Sequence, residues 1–92
     1  MKAAYRWVIT KDRIADPSRP EGTNSNAKGI TGPSNLDKDL KDNPAKFSLY
    51  DDDGMCYYEG TIYGDYTGFE PMDDFGGWNA GCARVKLNGH WL

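Results

Sequence analysis

The chain predicts a mainly β (or α+β) fold: a small antiparallel sheet of four to five strands in hairpins, with at most one short helix and long loops. Three observations carry this expectation. YRWVIT at 5–10 alternates in the period of two that a half-buried strand requires. Two apolar-rich runs, 47–50 and 55–63, flank the turn DDDG at 51–54. Asn88-Gly89 is a strong two-residue hairpin signal between a strand at 82–87 and a short return at 90–92.

Taken in order, the first strand places Tyr5, Trp7 and Ile9 on one face and Ala4, Arg6, Val8 and Thr10 on the other. The pattern then collapses. Residues 11–44 are dense in Pro, Gly, Asn and Ser and read as a loop, long enough to be functional or mobile. Within it, SNLDKDLKDNP at 34–44 is the candidate short helix. Ser34 would cap it, Asp37 would complete a weak capping box, Leu36 and Leu40 would form the apolar stripe, and Pro44 would close it. The central hairpin follows, with Phe47 and Leu49 on one face and Gly60 marking a bulge. Periodicity leaves the register of Cys56, Tyr57 and Tyr58 open. Residues 64–81 form a second irregular stretch, pinned to the core by Phe69, Met72, Phe75 and Trp78. In the strand at 82–87, Ala83, Val85 and Leu87 share one side and Cys82, Arg84 and Lys86 the other.

With 92 residues, the chain is expected to be a single domain, 1–92, which buries roughly 60–65% of its unfolded surface. The apolar fraction of 38% is low, and twelve aromatic rings (six Tyr, three Trp, three Phe) compensate in part. No apolar run reaches the length of a signal sequence or a membrane span, so a cytoplasmic location is expected. Cys56 and Cys82 are too few for a disulfide scaffold and read as reduced thiols.

Charge separates along the chain. Residues 1–46 hold nine Lys/Arg and six Asp/Glu, for +3, while residues 47–92 hold two and eight, for −6. All eight acids of the second half fall between Asp51 and Asp74, where no Lys or Arg occurs. This balance argues against direct nucleic-acid binding, which needs a basic face. It favours a protein partner with a basic surface.

Motifs for catalysis are weak. Aligning Gly54 with the glycine of a calcium-binding EF-hand loop puts Leu49 and Gly60 at the two most important ligand positions, which excludes that loop. DDFG at 73–76 matches a kinase tripeptide, in a chain far too short for a kinase. His90, the only histidine, has no evident partner, and a Cys56 or Cys82 pair with it would require the fold to join them. The expectation is therefore a non-enzyme without a cofactor or metal. Its binding face would be acidic and Tyr-rich: Asp51, Asp52, Asp53, Tyr57, Glu59, Asp65, Tyr66, Glu70, Asp73 and Asp74. The alternatives are an accessory domain holding a metal or small ligand on the Asp cluster, and a small Cys/His hydrolase.

FSLYDDDGMCYYEG at 47–60, followed by FEPMDDFGGWNAGC at 69–82, resembles a family of short uncharacterised proteins of bacteria and their mobile elements. The resemblance spans 47–82, with weaker matches at 5–10 and 29–33. That family supplies no functional residues. What it implies is a bacterial, plasmid or phage setting. Small acidic domains of that setting are often inhibitors of host defence, anti-CRISPR proteins among them, acting on nucleic-acid-handling complexes.

Overall fold

The computed structural model describes residues 2–92. The predicted alternation becomes strands β1 (Tyr5–Asp12), β3 (Ala45–Tyr50), β4 (Cys56–Gly64), β5 (Arg84–Leu87) and β6 (His90–Trp91), joined by a two-residue strand β2 (Thr31–Gly32). All pair antiparallel in one sheet of order β2-β1-β4-β3-β5-β6. The sheet thus has six strands, not four to five. The sixth, β2, lies inside the stretch read as loop. It forms because Thr31 and Gly32 pair with Val8 and Trp7, a contact set by tertiary structure.

One face of the sheet is the core. Trp7, Ile9, Phe47, Leu49, Tyr58, Ile62 and Val85 alternate onto it and are buried. The register of the central hairpin is fixed by a bulge. Leu49 pairs with Tyr58 and Tyr50 with Cys56, so Tyr57 is the extra residue and Cys56 shares the face of Tyr50. A second irregularity lies opposite Gly60, with the extra residue, Thr10, on β1 rather than on β4 as expected. Gly60 itself allows a close approach: a Cβ there would collide with the Val8 carbonyl and the Phe47 ring.

Among the described residues the one helical segment is at 70–80, not at 34–44. A π-helical turn, Met72–Gly76, runs directly into a single α-helical turn, α1 (Gly77–Ala80). Pro71 sits where a helix tolerates its missing N–H, Asp73 and Asp74 occupy the first turn, and Gly81, at φ 71°, ends the helix in the left-handed conformation. The Gly76-Gly77 pair hides this helix from a propensity reading, yet it enables the packing. A Cβ on Gly76 would lie 2.6 Å from Leu49 Cδ1, so glycine lets the segment close on the sheet without displacing that buried side chain. Phe75 then stacks edge-on against Tyr58, with centroids 5.6 Å apart, and sits 6.1 Å from Trp7.

Residues 34–44 form turns instead. The Asp37 carboxylate accepts from the Asp39 N–H at 3.0 Å, a local bond that competes with helix. The segment 13–30 is anchored rather than loose. Ile9 N–H donates to Ile30 O at 2.8 Å, Gly29 N–H donates to Ile9 O at 2.7 Å, and Ala27 is fully buried. Cys82 also departs from expectation. It precedes β5 and is buried in the core, not on the side of Arg84 and Lys86. Among the described residues no helix is long and apolar enough to cross a membrane.

Candidate functional site

The ten residues of the expected acidic face do not converge. Asp51 belongs to the central hairpin. Its Oδ1 accepts from the backbone N–H groups of Asp53 (2.9 Å) and Met55 (2.8 Å), and its Oδ2 accepts from Tyr57 Oη (3.0 Å). The residue is 8% exposed. The Met55 N–H above all, helped by Tyr57 and the Asp53 and Gly54 N–H groups and opposed by desolvation, holds its carboxyl below the usual range. The same bond raises the Tyr57 hydroxyl. Glu70 caps its own turn, accepting from Thr67 N–H at 2.7 Å and Gly68 N–H at 2.8 Å. Burial pushes its carboxyl up, and these bonds outweigh it, so the net shift is downward.

Asp74 joins the helical segment to β1, its Oδ2 accepting from Tyr5 Oη (2.8 Å) and Trp7 Nε1 (2.9 Å). Tyr66 packs against the core and donates to Asn43 O at 2.7 Å. Glu59 stands on the other face of the sheet, paired to Arg13 at 2.8 Å. Asp52, Asp53, Asp65 and Asp73 remain exposed, in three separate places: the hairpin turn, the start of the loop after β4, and the helical segment.

The carboxylates of Asp51, Asp52 and Asp53 lie within 4.8 Å of one another. The bonds made by Asp51 account for this as turn geometry. Of the thiols, Cys82 is pushed up to about 11 by burial, with Cys56 and Asp51 adding to it, and desolvation also raises Cys56. Both shifts disfavour the thiolate that a nucleophile requires. His90 is exposed on the edge strand β6, and among the described residues no hydrogen bond joins it to either thiol.

The second face of the sheet carries the more concentrated chemistry. Register places Arg6, Lys11, Lys46, Arg84 and Lys86 on it, with Arg13 reaching in from the end of β1. Glu59 is the single acid among these strand positions. No residue of this face is buried, whereas the central opposite positions of the same strands, Trp7, Ile9, Phe47, Leu49, Tyr58, Ile62 and Val85, are. The premise that the chain lacks a basic face therefore does not hold. Cations from both ends of the sequence meet across the sheet, a convergence that a linear count of charge misses.

Aromatic rings are interleaved with these cations. Tyr50 and Trp91 lie with centroids 4.7 Å apart at 59°. The Arg84 guanidinium sits 4.1 Å over the Trp91 ring, and Lys86 Nζ lies 4.6 Å from Trp91 and 5.5 Å from Tyr50. At the other end of the sheet, Arg6 covers Tyr63 at 4.3 Å. Between them is a shallow depression of about 550 Å³, lined by Thr10, Lys11, Lys46, Ser48, Glu59, Thr61 and Asn88. The sequence signal that could have found this face was the outward parity of Arg6, Lys46, Arg84 and Lys86 in their strands. No family model, curated protein or solved structure matches the chain, so the likeness noted at 47–82 rests on sequence alone.

Proposed function

We propose that the chain is a non-catalytic binding module whose contact surface is the open face of its sheet. The supporting observation is the cluster Tyr50, Arg84, Lys86 and Trp91, with Lys46 and Lys11 beside it, on a face that nothing buries. Of these four cations, none has a carboxylate partner within 4.0 Å among the described residues. Unneutralised cations beside exposed rings present both long-range attraction and contact area to an anionic partner. Retention on heparin resin tests this reading. The protein, with a net charge of −3, is expected to be retained at low salt. The Lys46→Glu/Lys86→Glu variant is expected to flow through. Equal retention of the two would remove the open face from consideration.

A second reading keeps the acidic flank. Asp73 is exposed in the helical segment, where Trp78 is 63% exposed, and an exposed tryptophan beside acids suits a basic protein surface. In this reading the chain occupies the nucleic-acid channel of a bacterial defence complex, as an inhibitor. The test is capture of a partner that survives Asp52→Asn/Asp53→Asn and is lost with Asp73→Asn/Trp78→Ala. Asp51 is left intact because its replacement would perturb the hairpin.

A further inference from the structure

We infer that the open face binds single-stranded nucleic acid, with bases stacking on the Trp91–Arg84 pair and phosphates held by Lys86, Lys46 and Lys11. This rests on the reading that the open face is the contact surface, and it names the ligand class. Three features select that class. The first is charge: the strands present five cations on this face and one acid, Glu59, which Arg13 pairs from beyond the end of β1, although the molecule as a whole is negative. A polyanion is the complementary partner.

The second feature is the stack. Trp91 is 45% exposed and carries the Arg84 guanidinium at 4.1 Å. Rings and guanidinium planes are the platforms on which unpaired bases stack, and every base has a π-face to offer. An acidic peptide would satisfy the cations but bring no plane to the ring. A duplex keeps its base faces inside the helix, and β6, of two residues, is too short an edge to enter a groove as a ribbon.

The third is spacing along the sheet. The depression lined by Lys11, Lys46, Ser48, Glu59, Thr61 and Asn88 lies on the strands between the aromatic cluster and β1, Ser48 pairing with Lys86, and the Glu59 charge in it is met by Arg13. Its lysines, hydroxyls and amide suit a phosphate-sugar chain running across the strands, as in sheets that bind single strands on an open face.

Fluorescence anisotropy on the intact chain, with labelled oligo(dT), the matching duplex and polyglutamate as probes, tests the inference. Backbone amide shifts map the contact. The expected result is oligo(dT) binding at least about tenfold tighter than either other probe, with shifts at Tyr50, Arg84, Lys86 and Trp91. Trp91→Ala is expected to weaken it by about tenfold, near the low end for loss of one stacked base. Lys46→Gln is expected to lower the slope of log affinity against log salt by about 0.7, one phosphate's share on a single strand. Thermal melting of each variant confirms that it is folded. If polyglutamate or duplex binds equally well through the same amides and Trp91→Ala changes nothing, the ligand class is wrong and the open-face reading stands. If no probe moves the open-face amides, both fail.

Discussion

Asp74 sits where the helical segment meets β1, and its Oδ2 accepts hydrogen bonds from both Tyr5 and Trp7. Trp7 is 2% exposed, so its indole N–H has little recourse to water if the acceptor is removed. Asp74→Ala is expected to destabilise the fold by about 2 kcal/mol, the scale of two charge-assisted bonds at a partly solvated site. Asp74→Asn keeps one carbonyl acceptor and is expected to lose about half as much. Urea unfolding of the two variants measures the difference. Equal stability of Asp74→Ala and the parent would show that neither bond matters in solution. In the sequence, Asp74 is one acid in a run of acids. Its partners lie 69 and 67 positions away, and no local pattern announces them. Asp51 differs in that its partners, Asp53, Met55 and Tyr57, are local, and its role as a hairpin acceptor was visible only as a turn residue three positions before Gly54. Predicting both as members of an exposed acidic face treated charge as a surface property, whereas here hydrogen bonding decides where each carboxylate sits.

At the level of elements, the strands were legible because their period matches their burial. Trp7, Ile9, Phe47, Leu49 and Val85 were assigned to their faces by alternation, and all five are core. The Asn88-Gly89 turn was legible for a backbone reason: its residues adopt φ of 50° and 83°, which Asn and Gly tolerate. The helical segment was not legible, since two glycines at its centre oppose local helix formation. Its stability comes from Phe75 against Tyr58 and Trp7, a tertiary contact. The same dependence on close approach makes Gly60 a sensitive position in β4. Gly60→Ala would drive a Cβ into the Val8 carbonyl and the Phe47 ring, one a backbone atom that cannot rotate away. The expected cost is about 2–3 kcal/mol, the upper part of the range for overpacking. Gly54→Ala is the contrasting variant: it lies in open space, so only the strain of its φ of 88° is felt. A smaller loss for Gly60→Ala than for Gly54→Ala would mean that β1 and β4 are less closely packed than the register indicates.

Over the whole molecule, the fold gathers cations from both halves of the sequence onto one face, a convergence that the tally of charge along the chain does not show. The ionisable groups that the fold perturbs also set its pH limits. Asp51 and Glu70 are held below their ordinary values by backbone N–H groups. Their stabilisation is therefore present above the unfolded carboxyl values, about 3.9 and 4.3, and is lost as pH falls through the lowered folded values. At the other end, Tyr5 is pushed up to about 12, first by burial and then by its bond to Asp74, and Cys82 to about 11 by burial. For both, the folded state retains the proton longer. Their contribution is complete below the unfolded values, about 8.5 for the thiol and 10 for the phenol, and is lost as pH rises toward the folded ones. Thermal melts across the pH range should show a plateau between about pH 5 and 8, an acid limb below about pH 4, and an alkaline limb in two stages, the thiol's before the phenol's. Tyr5→Phe should shrink the upper stage and leave the acid limb in place, while Glu70→Gln should do the reverse. An alkaline limb unchanged by Tyr5→Phe would place the Tyr5–Asp74 bond outside the groups that hold β1 to the helical segment.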